Sequence, residues 1–275
     1  MSESSVDVEG YFRRIGWSGT RRPTLETLRA IHARHPHAIA FENLDPFLRR
    51  PVKLDLASLE EKLVRAGRGG WCFEHNLLLA AVLRSLGFSV TGLAARVVWN
   101  APEGVVRPRG HMLLRVDVEG EPWLADVGFG GLTLTAPLRF QTGIEQPTPH
   151  EPFRLIETDG LFVLEALVRE AWRPLYRFDL QPQSNIDYEA ANWFLATHPT
   201  SHFITGLMVA RAAEDRRSAL VDRRLSTHVL RGETKHRELA SVAELRAVLE
   251  EVFDIRVPAG PEVDARFEQL YGKAL

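Results

Sequence analysis

The feature that most constrains the fold is a change of period at Phe88. Before it, apolar residues recur at helical spacing. After it, they fall into short runs separated by turn signals. Pro23 to Pro36 places Leu25, Leu28 and Ile31 at threes, with Thr24 as the cap and Pro36 as the stop. Asp55 to Gly67 has Leu59, Leu63 and Val64 on one face, Ser58 at the N-cap and Gly67 at the end. Phe73 to Phe88 carries two apolar lines, Leu79/Leu83/Leu86 and Leu77/Ala80/Ala81, and Gly87 closes it. So broad an apolar face predicts a buried helix. Beyond Phe88, "SVTGLAARVVW", "HMLLRVDV", "PWLADVGF", "PFRLIET" and "FVLEALV" read as strands, and the turns between them include Glu119-Gly120 and Asp159-Gly160. Such a succession predicts an antiparallel sheet or barrel. After the helix-like start of "YEAANWFLATHP", "FITGLMVARA" and "THVLRG" read as strands. Ser241 to Phe253 and Pro261 to Gly272 read as helices. The expected class is α+β in three domains: a helical bundle over residues 1–88, an antiparallel β barrel over 89–186 and a smaller α/β region over 187–275.

Charge and cysteine use narrow the function. The 34 Lys and Arg against 36 Asp and Glu leave a formal net charge of -2, so no global basic field exists to collect nucleic acid. The apolar run Leu77 to Leu83, cut by Arg84, falls far short of the ~20 residues of a membrane helix. "MSESSVDVEGYFRRIGW" lacks the basic-then-apolar layout of a secretory leader. A single cysteine makes no internal disulfide and supplies no Cys–Cys zinc site. The expected address is the cytoplasm, with neither nucleic acid nor membrane as a partner.

That cysteine, Cys72, lies in "GRGGWCFEHN". Free cysteine is most often a small buried hydrophobe. Here, however, a glycine pair gives way to a helix. A helix N-terminus offers free N–H groups and a partial positive charge, both of which stabilise negative sulfur. Gly69 and Gly70 permit close backbone approach, and Arg68 adds positive charge. A cysteine nucleophile needs a base, and the base an orienter. Of the ten histidines, His32, His35 and His37 are expected on or after a surface helix, in solvent. His75, three residues after Cys72, has a compatible spacing, but a helical side chain follows its own face. His111 opens a strand just after the loop "NAPEGVVRPRG". The Glu119-Gly120 turn makes this strand and the next a hairpin, which sets His111 near Gly128 and makes Asp126 a near neighbour. An aspartate in an apolar strand needs a partner. His111 is one candidate; the glycine turn that follows, capped by the carboxylate, is the other.

These residues match a known pattern. "RGGWCFEHN" resembles the active-site cysteine motif of the arylamine N-acetyltransferases. "YFRRIGW" (Tyr11 to Trp17) is similar to that family's N-terminal signature. "AFENLDPF" (Ala40 to Phe47) is similar to its Phe-Glu-Asn-Leu segment, with Ala40 where the family usually has proline. "GHMLLRV", "ADVGFGG" and "NWFLATHPTSHF" (Asn192 to Phe203) resemble further family segments. The resemblance implies a helical bundle, β barrel and α/β lid related to papain-like and transglutaminase-like enzymes. It implies acetyl transfer from acetyl-coenzyme A, as cosubstrate and without a metal, through an acetyl-cysteine to an aromatic amine, hydrazine or N-hydroxylamine. Cys72 carries over as nucleophile, His111 as base and Asp126 as orienter. Phe129 and Gly110 are the substrate-binding candidates, although Phe129 reads equally as a core aromatic. Arg68 and Glu74 are expected to hold the cysteine loop by charge-assisted bonds. With no P-loop, the donor is left to loops and to the basic stretch Arg211 to Arg224, which reads more simply as a solvated face. The alternatives are an amide synthase of the same family, a transglutaminase-like cysteine hydrolase and a non-catalytic module on this fold.

Overall fold

The computed structural model describes residues 5–102 and 104–272. Its first third holds helices α1 (Val8–Ile15) and α2 (Leu25–Ala38), the two-residue strand β1 (Phe41–Glu42), and helices α3 (Leu44–Phe47), α4 (Leu56–Leu59) and α5 (Cys72–Ser85). α4 runs on as a π-helix over Glu60–Arg65. Side chains cap the starts: Asp7 accepts from Gly10 N–H, Thr24 from Thr27 N–H and Asp55 from Ser58 N–H. The cap of α4 is thus Asp55 and not Ser58, which sits in the first turn. Pro36 does not end α2. It lacks only its own N–H so near the terminus, and Ile39 N–H still reaches His35 O at 2.8 Å.

The middle of the chain forms β2 (Ser89–Val97), β3 (His111–Val118), β4 (Glu121–Ala125), β5 (Leu138–Arg139), β6 (Phe153–Thr158), β7 (Leu161–Val168) and β8 (Ala171–Phe178). They build one antiparallel sheet in the order β5-β4-β3-β2-β8-β7-β6. The chain after β5 returns beside β6, where Thr142 bridges Leu155 and Gln146 bridges Phe153. The two edges meet there, and the sheet is a nearly closed barrel. β8 has no clear sequence signal because Pro174 interrupts it; the proline sits opposite Glu165, at a shift in register.

The last third adds α6 (Asn185–Thr197), α7 (His202–Thr205), β9 (Met208–Ala212), β10 (Arg216–Val221), β11 (Arg224–Val229), β12 (Thr234–Glu238), α8 (Val242–Glu251) and α9 (Pro261–Tyr271). "FIT", expected as strand, is the helical α7; the strand begins at Met208. The second sheet runs β1-β9-β10-β11-β12, so a strand from the first third completes it. No helix of the described residues is long and apolar enough to cross a membrane.

α5 is buried, as its broad apolar face predicts: Phe73, Leu78, Leu79, Val82 and Leu83 are fully enclosed, while Leu77 and Ala81 of the second expected line are only half-buried. It packs between the helices and one face of β3. Alternation along β3 divides its side chains, because successive residues point to opposite faces. Met112, Leu114 and Val116 join the core around α5, whereas Leu113 joins the barrel core with Leu124, Phe153 and Tyr176. A third core, with Phe47, Leu220, Phe253 and Phe267, binds the last sheet to α8 and α9.

Candidate active site

The site begins with the loop before α5. Gly70 N–H donates to Ala40 O at 3.2 Å, and Glu42 N–H donates to Gly70 O at 2.8 Å, which lays this loop along β1. A Cβ at Gly69 would overlap the Ala40 carbonyl oxygen, so only glycine fits. A buried charge network fixes the same loop. Arg68 pairs with Glu42 (2.7 Å) and Asp45 (3.2 Å), and Lys62 with Asp45 (2.6 Å) and Glu74 (2.7 Å). Glu74 also accepts from Trp71 N–H at 3.0 Å. Burial pushes the Glu74 carboxyl up to about 7, against the opposing pull of Lys62. Arg68 and Glu74 hold the loop through charge-assisted bonds, as their residue types suggest.

His32 and His35 are fully buried, not solvated, and His37 is half-buried. The α2 face that carries them packs inward with Leu28 and Ile31, and hydrogen bonds meet the needs of the His35 ring. Tyr11 O–H donates to His35 Nδ1 (2.8 Å), and His35 Nε2–H to His75 Nδ1 (2.8 Å). His75 Nε2–H donates to Gly70 O (2.9 Å) and Ala40 O (3.1 Å). Carbonyl oxygens only accept, so they set the direction of the whole relay. Burial lowers the His75 imidazole to about 4 and His35 well below its ordinary value, which keeps both neutral. The His75 ring is thereby committed to the glycine loop.

β3 and β4 pair from Val118↔Glu121 to Leu114↔Ala125, the register the Glu119-Gly120 turn predicts. Past that point the two strands separate. His111 Nε2–H donates to Asp126 Oδ2 at 2.7 Å, with both side chains buried. Asp126 Oδ1 accepts from Gly128 N–H (2.9 Å) and Asn76 Nδ2–H (3.0 Å), so the carboxylate pairs with the histidine and caps the glycine turn at once. Burial alone would raise the Asp126 carboxyl; the His111 charge and these hydrogen bonds outweigh it and hold the group below its ordinary value. Burial alone would lower His111; the charge and hydrogen bond of Asp126, and hydrogen bonding with Cys72, push it up to about 10 instead. Cys72, the first residue of α5, is buried, and its thiol lies 3.6 Å from Gly110 O. A Cβ at Gly128 would stand 2.6 Å from Cys72 Cα, so the aspartate loop touches the cysteine backbone directly. Cys72, His111 and Asp126 converge from α5, β3 and the end of β4.

A family model described as N-acetyltransferase matches residues 24–262. The arylamine N-acetyltransferase of Mycobacterium bovis is 46% identical over 257 residues, which cover 92% of this chain and 90% of that protein. The chain belongs to the arylamine N-acetyltransferase family. The arylamine N-acetyltransferase / N-hydroxyarylamine O-acetyltransferase of Salmonella typhimurium is 46% identical over 208 residues, covering 76% of this chain and 74% of that one. The solved structure of the Mycobacterium marinum arylamine N-acetyltransferase in complex with CoA superposes with a TM-score of 0.92 at 44% identity, covering 96% of this chain and 99% of that one.

In this arylamine N-acetyltransferase family member, the Phe129 ring meets His111 edge-on, with centroids 5.3 Å apart, and tilts against Tyr176 at 5.4 Å. Half-buried, it forms a wall beside the imidazole. Gly110 presents its carbonyl to Cys72 and also lines a cavity of about 280 Å³ with Ala94, Arg109, Tyr188, Ala191 and Leu195. Sequence reasoning missed Asn76, which also bonds Met112 O (2.8 Å) and Val127 N–H (3.2 Å). Its spacing, one helical turn after Cys72, was an available signal. It also missed Tyr176, whose ring lies 4.7 Å from that of His111 and which no local pattern marks. The basic stretch Arg211 to Arg224 is not simply a solvated face. Arg217 is buried, pairs with Glu151 at 2.7 Å and donates to Thr133 O at 3.0 Å. Arg211 donates to His37 O (2.8 Å) and Val252 O (3.1 Å).

Proposed function

We propose that the protein transfers an acetyl group from acetyl-coenzyme A to an arylamine, arylhydrazine or N-hydroxyarylamine, by way of an acetyl-cysteine at Cys72. One observation carries the reading: a buried carboxylate, Asp126, accepts from a buried histidine, His111, whose proton affinity is raised by that carboxylate and by the neighbouring Cys72, the chain's single cysteine. The CoA bound by the Mycobacterium marinum relative and the two activities in the name of the Salmonella typhimurium relative support the choice of donor and acceptors.

The chemistry follows from the atoms present. Nε2 of His111 is taken by Asp126, so Nδ1 receives the Cys72 proton. The thiolate attacks the thioester carbonyl. Among the described residues, the Cys72 and Phe73 backbone N–H groups at the start of α5 have no hydrogen-bond partner, and they stabilise the developing oxyanion. The carbon–sulfur bond to coenzyme A breaks, the departing thiolate takes the imidazolium proton, and acetyl-Cys72 remains. The amine then attacks the acetyl carbon, His111 accepts its proton, and the cysteine sulfur leaves and recovers a proton from the imidazolium. On this reading residues 1–88 supply the nucleophile, residues 89–186 the base and orienter, and residues 187–275 the lid.

Intact-mass measurement tests the reading. Acetyl-coenzyme A alone should add one acetyl group, located on Cys72, and an added arylamine should remove it as N-acetyl product. Folded Cys72→Ser should take up no acetyl and transfer none. Transfer by that variant, or a wild-type chain that never gains the acetyl group, contradicts the reading.

A further inference from the structure

Asp126 is held at every polar atom. Oδ2 takes His111, Oδ1 takes Asn76 and Gly128 N–H, and its carbonyl oxygen accepts from Thr133 Oγ1 at 3.3 Å. Its backbone N–H remains, and this donates to a side chain: His32 Nε2 on α2, at 3.2 Å. That contact joins residues 94 apart in sequence and is buried.

The contact dictates the state of the His32 ring. A backbone N–H can only donate, so Nε2 must present its lone pair. In a neutral imidazole the proton then sits on Nδ1. Nδ1 is buried and has no hydrogen-bond partner among the described residues. A buried donor left unpaired is unfavourable and calls for a reason. A leucine would fill much of this place on α2 without an unpaired donor, but it would leave the Asp126 N–H unpaired instead.

We infer that His32 is a positioning residue for the proposed reaction: as a neutral acceptor it fixes the backbone of Asp126 so that the carboxylate meets His111. The inference rests on the triad reading above. The side-chain bonds of Asp126 aim its oxygens, and the His32 bond sets the point from which they are aimed. Burial, against the opposing pull of the Asp126 charge, lowers the His32 imidazole to about 4, so the acceptor state persists at neutral pH.

Two variants and one spectrum of the full chain test it. The amide oxygen of His32→Gln has the reach to accept from Asp126 N–H; His32→Leu keeps bulk and offers no acceptor. His32→Leu should lower kcat for acetyl transfer ~10- to 100-fold and move the pH profile of Cys72 alkylation by iodoacetamide toward that of a free thiol, while His32→Gln should stay within ~3-fold of wild type with its profile unchanged. The ¹⁵N spectrum of the wild-type imidazoles at neutral pH should show His32 protonated on Nδ1. A folded His32→Leu with wild-type kcat and profile, a His32→Gln as impaired as His32→Leu, or a proton on Nε2 overturns the inference. Should His32→Leu not fold, His32→Gln and the spectrum decide. A wild-type chain that never acetylates Cys72 would refute the triad reading instead, and the spectrum alone would then judge the His32 bond.

Discussion

At the scale of single residues, the proposed chemistry turns on one carboxylate. Asp126 sits in an apolar strand end, where an unpaired charge would be strongly unfavourable. Its partners make it favourable, and in return it raises the proton affinity of His111. Asp126→Asn keeps the shape and removes the charge. It should lower kcat by roughly 10⁴-fold, as in other triads, and bring the His111 titration down from about 10 toward its ordinary value. Near-native turnover by a folded Asp126→Asn would show that another group orients the base. The pair also bears on stability. His111 binds its proton more tightly in the folded state, so its contribution is fully present below about 6.5 and is lost as pH rises through about 10.

At the scale of elements, the most legible parts were those whose signal is local. α5 announced itself by two apolar lines, and the β3–β4 hairpin by a glutamate–glycine turn that fixed its register. The hairpin is why His111 and Asp126 could be paired from the sequence. α2 was legible as a helix, but not the burial of its histidines. Polarity suggested solvent, yet His35 is satisfied by Tyr11 and His75, which come from α1 and α5. Those neutral rings give a pH dependence opposite in sign to that of His111. Below about 6.5 the unfolded chain protonates them while the folded chain resists, down to about 4 for His32 and His75. Between pH 7 and pH 5 each of those two rings should cost about 2 kcal/mol of stability, opposed by Glu74 and His111, whose raised proton affinities favour the fold on acidification. In denaturant unfolding wild type should therefore lose about 2 kcal/mol more between pH 7 and pH 5 than His32→Gln does; an equal change in the two would mean that the His32 ring is protonated in the fold. Packing around α5 makes a separate prediction. Leu79 is fully buried, and Leu79→Ala should cost about 2–5 kcal/mol in the same unfolding assay. A loss within ~0.5 kcal/mol would place Leu79 at the surface.

At the scale of the molecule, the site lies where parts distant in sequence meet. β1 brings Glu42 to Arg68 and pairs with β9 of the last sheet. Trp71, beside Cys72, donates to Asn192 Oδ1 of α6 at 3.1 Å, and Asn192 donates on to Val52 O at 3.0 Å. No local period reports a two-residue strand or a bond between residues 121 apart, so the way the last third attaches to the cysteine loop was not readable from the sequence. The central claim is that this assembly sets a base from the barrel, and not the histidine of the cysteine's own helix, against Cys72. The pH profile of iodoacetamide alkylation at Cys72, in wild type, His111→Ala and His75→Ala, tests it most directly. Wild-type alkylation should stay fast well below pH ~8.5, where a free thiol ionises. Bound acetyl should block it. His111→Ala should return the profile to free-thiol behaviour, and His75→Ala should leave it nearly unchanged. A profile shifted by His75→Ala and untouched by His111→Ala would contradict the account.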